Sequence, residues 1–146
     1  MSSANLRRFR AVVTSAAITL FLSGSAWAQH YTETDLVTNA TDPDLVNPWG
    51  VARSTTSPWW VADNVTGKST LYNAAGTKQG LIVTIPGFPT GTVFNGSAQD
   101  FLIPGTSLQS VFLFVSVDGR ISGWNPQLMP NTAAMVVADT PGASYT

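Results

Sequence analysis

An all-β fold is predicted for the chain after its first 28 residues, on three observations. Short apolar runs rich in β-branched and aromatic residues are separated by clusters of Gly, Pro, Asn and Asp. No stretch of this part keeps the apolar i, i+3, i+4, i+7 spacing of a helix. The 12 Gly and 9 Pro of the sequence also disfavour long helices.

The N-terminal region has the three parts of a secretory signal peptide. A basic cluster at residues 7–10 precedes an uncharged, mostly apolar stretch at 11–22. The tripeptide Ala-Trp-Ala then places small residues at the two positions that a signal peptidase reads, which predicts cleavage between Ala28 and Gln29. The apolar stretch is shorter than the roughly 20 residues of a membrane span, so a transmembrane helix is the poorer interpretation.

Cleavage there would leave a mature chain of residues 29–146, located in the periplasm or outside the cell. The mature chain contains four basic residues and all eight acidic residues of the sequence, and it has no basic patch. A nucleic-acid partner is therefore not expected. Cysteine is absent, which excludes disulfides and thiolate metal sites. No transmembrane segment is expected in the mature part.

The predicted strands follow one another at short intervals. The clearest runs are 59–62, 81–85, 111–117 and 135–138. Within the run 111–117, residues 111–115 are apolar on both faces, so we expect this strand to be packed between two layers. Asp118-Gly119 predicts a tight hairpin in which both turn residues have positive φ, leading to a strand that ends before Asn125-Pro126.

A repeat of about 50 residues is visible in these strands. A shift of 52 places Gly67-Lys68 on Gly119-Arg120 and Tyr72-Asn73 on Trp124-Asn125, and Asn47 and Asn95 are candidates for the start of each repeat. Four short strands in a period of this length are typical of a β-propeller blade. The sequence therefore predicts about two blades plus the start of a third, truncated before the ring can close. The alternative is an ordinary β-sandwich whose hairpins are alike by chance.

Several motifs of the mature chain resemble a family of uncharacterised bacterial exported proteins related to NHL- and YVTN-type propellers. They are 31–37, 42–50, 63–64 with 69–73, 93–96 and 118–126. The resemblance implies a longer protein with several more blades, in some members with a C-terminal membrane-sorting tail, and a location outside the cytoplasm. It implies no activity.

No catalytic constellation is apparent, and the metal-binding residues, if any, are undefined. Four candidate ligand-binding residues share a position near strand ends, where they would face a central channel; they are Asn47, Asp63, Asn64 and Asn95. Trp49 is a fifth candidate, as an aromatic side chain. Oxygen ligands of this kind suit Ca²⁺, so no cofactor is predicted apart from a possible calcium ion. The alternative is that these Asp and Asn residues are turn formers whose side chains bond the local backbone.

The tryptophans raise the hypothesis of carbohydrate stacking. Trp59 and Trp60 are adjacent on one predicted strand, so their side chains face opposite ways, and at most one of them can line a site. Packing in the core is the alternative for each.

The function expected from the sequence is that of an exported propeller acting as a binding scaffold for a small molecule, a glycan or an envelope protein. The alternative is a calcium-dependent hydrolase of the lactonase or gluconolactonase type. The absence of a catalytic set favours the scaffold over the enzyme, and the fold alone does not choose between them.

Overall fold

In the computed structural model of the chain, residues 31–146 are described. The chain divides into two units, Met1–Thr34 and Asp35–Thr146, and every strand of the described residues lies in the second. The predicted signal peptide, with its cleavage site at Ala28 and Gln29, lies outside the described residues.

The second unit contains two four-stranded antiparallel sheets and, among the described residues, no helix, which confirms the all-β prediction. In each sheet the strands are hydrogen-bonded in chain order. The first sheet consists of β1 (Pro48–Ala52), β2 (Trp59–Asp63), β3 (Lys68–Tyr72) and β4 (Lys78–Thr84). The second consists of β5 (Pro89–Phe94), β6 (Phe112–Ser116), β7 (Arg120–Trp124) and β8 (Met135–Asp139).

The hairpin predicted at Asp118-Gly119 is present between β6 and β7, but its turn differs in type. The loop has three residues, closed by a hydrogen bond from the Gly119 amide to the Ser116 carbonyl (3.2 Å). Only Gly119 has positive φ, at 82°. A three-residue loop needs a single left-handed residue, so the prediction of two positive φ angles is wrong.

The two sheets repeat the same irregularities. Each opens with a proline and a bulge, between Pro48 and Gly50 in β1 and between Pro89 and Gly91 in β5. The residue before each proline, Asn47 or Phe88, accepts a backbone hydrogen bond from the residue that follows the next strand.

The outer hairpins of the two sheets also correspond. The carbonyl of Gly67 accepts a hydrogen bond from the Ile85 amide (2.9 Å), and that of Gly119 accepts one from Thr140 (3.0 Å). After β3 and β7, Asn73 and Asn125 each accept a bond from the amide two residues on. The acceptors Gly67 and Gly119 and the residues Asn73 and Asn125 lie at an offset of 52, whereas the donors Ile85 and Thr140 lie at an offset of 55.

The start predicted for the second unit is wrong. Asn95 follows β5 instead of preceding it, and the strand that corresponds to β1 begins at Pro89, an offset of 41. The difference arises because the loop between β5 and β6, residues 95–111, is much longer than the loop at 53–58 between β1 and β2. A single offset cannot align two units when one of them carries an insertion.

The main core lies between the two sheets. Trp60 stacks on Phe112 with ring centroids 4.4 Å apart, and Trp124 lies against the same indole at 4.6 Å. Phe112, Leu113 and Phe114 of the run predicted to be packed between two layers are all buried.

The first strands of the two sheets approach each other at two glycines. A Cβ atom on Gly50 would lie 2.6 Å from the Thr92 nitrogen and 2.7 Å from the Gly91 Cα. Side chains are therefore excluded here, and the backbones of β1 and β5 pack directly together.

Each sheet has a second face that is partly uncovered. On the first sheet, Val51 pairs with Val61 on the face opposite the core, and it is 60% exposed. On the second sheet, Val93 and Met135 lie on the face opposite Phe112 and are 54% and 40% exposed. Apolar strand residues are thus exposed on both outer faces.

Candidate functional site

Two of the predicted site residues are brought together at one end of the sheets. The Asn47 Nδ2 donates to the Asn64 Oδ1 (3.3 Å), and the Asn64 Nδ2 donates to the carbonyl of Pro89 at the start of β5 (3.3 Å). Asn47 has positive φ, 53°, which Asn tolerates better than most residues. These amides join the start of β1, the end of β2 and the start of β5.

The other three predicted residues have different surroundings. Trp49 lies at the bulge of β1 and is 51% exposed, whereas Asp63 at the end of β2 is fully buried. Asn95 follows the far end of β5, six residues or about 20 Å of strand from Pro89. Its amide donates to the carbonyls of Asp100 and Ser110, so it stabilises the long loop. The five candidate residues therefore do not lie together in the described unit.

A more extensive polar cluster lies on the outer face of the first sheet. Residues 35–46 cross this face, where Leu45 packs against Val61 and Tyr72. The buried Asp42 accepts a hydrogen bond from the Tyr72 hydroxyl (2.7 Å) and one from the Lys78 ammonium group (2.7 Å). The cluster thereby fixes the segment before β1 to β3 and β4.

Asp44 extends this cluster to a second lysine. Its carboxylate accepts hydrogen bonds from Lys78 (2.6 Å) and Lys68 (2.8 Å), and its amide donates to the carboxylate of Asp42 (3.0 Å). Its carbonyl accepts a bond from the Thr66 hydroxyl (3.2 Å). Two acids and two lysines thus form one hydrogen-bonded network, which we call the Asp42–Lys78 network.

An open cleft of about 400 Å³ lies beside this network. Its walls combine apolar and polar groups, among them Leu36, Val37, Tyr72 and Lys78. The charged groups at its floor already have partners within the chain. The arrangement therefore stabilises the N-terminal segment and leaves little unpaired charge for a ligand.

The ionisation of the network follows from its contacts. Burial acts to raise the pKa of Asp42, but hydrogen bonds from Lys78, Tyr72 and the Asp44 amide outweigh it, and the pKa lies below its ordinary value. The hydrogen bonds from Lys68 and Lys78 lower the pKa of Asp44 to about 2. Burial acts to lower the pKa of Lys78, but the bonds to both carboxylates outweigh it and raise the pKa. Burial, followed by the bond to Asp42, raises the pKa of Tyr72.

Asp63 behaves in the opposite way. Burial raises its pKa to about 6, although the amide and the hydroxyl of Thr70 both donate to its Oδ2 (3.1 and 2.7 Å). Its Oδ1 is buried without a hydrogen-bond partner. The ionised carboxylate is therefore only half satisfied, and near neutral pH it destabilises the sheet that contains it.

We expect the stability of the chain to fall as pH rises from about 4 to 7, relative to the Asp63→Asn variant. The pKa of Asp63 is higher in the folded chain than in the unfolded one, so its contribution is complete below pH 3.8 and is lost on passing through pH 6. A shift of about two units corresponds to about 3 kcal/mol. Urea unfolding of both proteins across this pH range measures the difference, and parallel pH profiles would contradict it.

Lys78→Met is expected to lower the free energy of unfolding by about 2–3 kcal/mol, because it leaves the buried Asp42 without its cation. Arg120→Met is the matched control, because its partners Asp118 and Asp139 are considerably exposed. Pairs of that kind contribute at most about 1 kcal/mol. Urea unfolding monitored by tryptophan fluorescence measures both variants. Equal effects would contradict the importance of the network.

Groups of three or more His, Cys, Asp or Glu side chains that could hold a metal ion are absent from residues 31–146. The same part of the chain has no helix of the length and hydropathy needed to cross a membrane.

Sequence reasoning missed most of the Asp42–Lys78 network. No local motif of the sequence pairs Asp42 or Asp44 with Lys68, Tyr72 or Lys78. The available signal was the scarcity of cations: with four basic residues after position 28, each lysine has a high chance of pairing with a carboxylate.

The described residues thus define an all-β unit of two antiparallel sheets without an assigned activity. The chain is similar to two uncharacterized proteins of Acanthamoeba polyphaga mimivirus. With one it shares 30% identity over 122 residues, which are 77% of this chain and 30% of that protein. With the other it shares 33% identity over 98 residues, 61% of this chain and 25% of that protein. The chain therefore spans less than a third of the length of these relatives.

These findings correct the resemblance drawn from the sequence. No family model matches the chain, and no solved structure matches it. The relatives found are viral, so the assignment to a bacterial family of NHL- and YVTN-related propellers is wrong. Both matched relatives are uncharacterized viral proteins.

Proposed function

We propose that residues 35–146 are two consecutive blades of a longer β-propeller that serves as a binding scaffold. One observation carries the proposal: the two sheets repeat the same bulges and turns and pack first strand against first strand, through Gly50 and Gly91. Adjacent propeller blades have their first strands side by side around a central channel. An ordinary sandwich has no need for the two sheets to share these irregularities.

The uncovered outer faces support the same proposal. Val51 on one sheet and Val93 and Met135 on the other would each be covered by a further blade. The longer match covers 77% of this chain but 30% of that viral protein. That relative is therefore long enough to contain several further blades, as a closed propeller of about 4–8 blades requires.

A scaffold is favoured over an enzyme because the buried acidic groups are not accessible to a substrate. The Asp42–Lys78 network pairs its charges internally, and Asp63 is buried beneath the surface. At the start of β1, Asn64 holds the side chain of Asn47 through the Asn47 Nδ2, which leaves the Asn47 Oδ1 and the exposed indole of Trp49 as groups for a ligand. Neutral amides and an indole are groups that bind ligands by hydrogen bonding and stacking.

Binding of the complete gene product to a glycan array and to a panel of purified cell-surface proteins tests this function. We expect at least one saturable interaction that weakens in Asn64→Ala and persists in Gln99→Ala, which alters an exposed residue of the long loop. Absence of all binding would contradict the scaffold. Equal weakening in both variants would contradict the location of the site.

We further propose that the chain is exported and that its mature form begins at Gln29. The basic cluster, apolar stretch and Ala-Trp-Ala motif of the first 28 residues support this. Expression in a secretion-competent host, followed by mass spectrometry of the product, tests it. A secreted species starting at Gln29 is expected, and an intact N-terminus confined to the cytoplasm would contradict export.

A further inference from the structure

A second cleft lies on the first sheet at the end opposite Asn47 and Asn64. It has a volume of about 310 Å³, at the lower limit of the range of small-molecule sites. Its walls come from the loop before β2 and from the turn between β3 and β4, which includes Asn73 and leads to Gln79. Trp59, 39% exposed, forms the aromatic part of the wall, whereas Trp60 points into the core as the alternation of the strand predicts.

The cleft contains the side chain of Arg53, which differs from the other described basic residues in having no ion pair. Lys68, Lys78 and Arg120 all pair with carboxylates, whereas Arg53 is the basic residue of 31–146 with no ion pair. No acidic side chain lines the cleft. Its guanidinium lies 5.1 Å from the centroid of the Trp59 ring. A positive charge and an aromatic surface are thus adjacent, and residues 31–146 provide no anionic partner for the charge.

The loop holds this arginine in place. Its Nε donates to the Ser54 carbonyl (3.1 Å) and one terminal nitrogen donates to the Thr55 carbonyl (3.4 Å). Ser54 and Ser57 exchange hydrogen bonds between each amide and the other's hydroxyl, both 2.9 Å, which stiffens the loop. Since a guanidinium has five N–H groups, three remain for a ligand, enough for a bidentate contact with a carboxylate.

The side-chain amides of Asn73 and Gln79 are the remaining groups of the cleft that can bind a ligand. Asn73 accepts bonds from the Ala75 and Thr77 amides at its Oδ1, and its Nδ2 has no partner among the described residues. Gln79 donates from its Nε2 to the Thr77 carbonyl, and its Oε1 has none in the same part of the chain. The cleft therefore offers one free amide donor and one free amide acceptor, which suit hydroxyl groups.

We infer that this cleft binds an acidic sugar, a hexuronate unit of a polysaccharide. The carboxylate would pair with Arg53, the ring would lie against Trp59, and the hydroxyls would bond to Asn73 and Gln79. This inference rests on the proposed binding function and adds a second site to it, at the end of the first sheet opposite Asn47 and Asn64. An aromatic carboxylate shares the first two contacts but has no hydroxyls for the two amides.

Calorimetric titration of the complete gene product with trigalacturonate tests the inference. We expect saturable binding that is weakened about tenfold or more in Arg53→Gln, because a charge-assisted hydrogen bond is lost. The matched control Arg120→Gln, which alters a paired arginine of the other sheet, is expected to bind as the unmodified protein does. Circular dichroism of both variants verifies that each is folded.

Two further probes distinguish the alternatives. Neutral galactotriose is expected to bind at least tenfold more weakly than trigalacturonate, and indole-3-acetate to bind more weakly than the sugar acid. Equal binding of the acidic and neutral sugars, no effect of Arg53→Gln, or tighter binding of indole-3-acetate would each overturn the inference. If another glycan or protein binds and Arg53→Gln leaves that binding intact, the scaffold function stands and the uronate site alone is wrong.

Discussion

Gly50→Ala is expected to lower the free energy of unfolding by at least about 3 kcal/mol, and at 37 °C the variant is expected to be largely unfolded. The added Cβ would lie within 2.8 Å of three backbone atoms of Gly91 and Thr92. Overpacked side chains usually relax at a cost of about 1–3 kcal/mol. Here the obstructing atoms are backbone, so relief requires the two sheets to separate.

Gly80→Ala is the matched control. Gly80 lies in β4, and a Cβ added there meets no atom within 4 Å. The free energy of unfolding of Gly80→Ala is expected to differ from that of the unmodified protein by less than about 0.5 kcal/mol. Urea unfolding of the three proteins side by side gives the comparison. If Gly50→Ala is as stable as Gly80→Ala, the direct packing of β1 on β5 is not present in solution.

Phe112→Ala is expected to destabilise the chain by about 3–5 kcal/mol, because it leaves a cavity in the core that joins the sheets. The ring is buried between Trp60 and Phe94, with centroid distances of 4.4 and 5.6 Å. Its removal deletes the stack with Trp60, so the tryptophan emission is also expected to shift to longer wavelength.

Phe88→Ala removes the same side chain from a position that is 55% exposed. We expect a loss of less than about 1 kcal/mol, since little apolar surface returns to water. Thermal unfolding of both variants measures the contrast. A small effect of Phe112→Ala would mean that the two sheets are stabilised independently.

Local patterns predicted the strands well. The runs at 59–62, 81–85, 111–117 and 135–138 each contain or overlap an observed strand, and the adjacent Trp59 and Trp60 do face opposite sides. These features depend on alternation and turn chemistry within a few residues, which a single sequence contains. The start of the second sheet was predicted at Asn95 instead of Pro89. The long loop at 95–111 increases the spacing between β5 and β6 relative to that between β1 and β2, so one offset does not fit the whole unit.

The candidate site was harder to predict because its contacts are distant in sequence. Lys78 reaches Asp42 across 36 positions, and Tyr72 reaches it across 30. No local motif connects these residues, and they meet only after the segment before β1 has folded over the sheet. Asn47 and Asn64 were identified because both lie beside recognisable turns, whereas Asn95 was grouped with them through the wrong repeat start.

Sequencing the gene on the 3′ side of the codon for Thr146 tests most directly the claim that the two sheets are blades of a longer propeller. The propeller proposal predicts that the frame continues through several further units, each with four short strands and a length of about 40–50 residues. A stop codon immediately after Thr146 would contradict it, because two blades cannot close a ring within one chain.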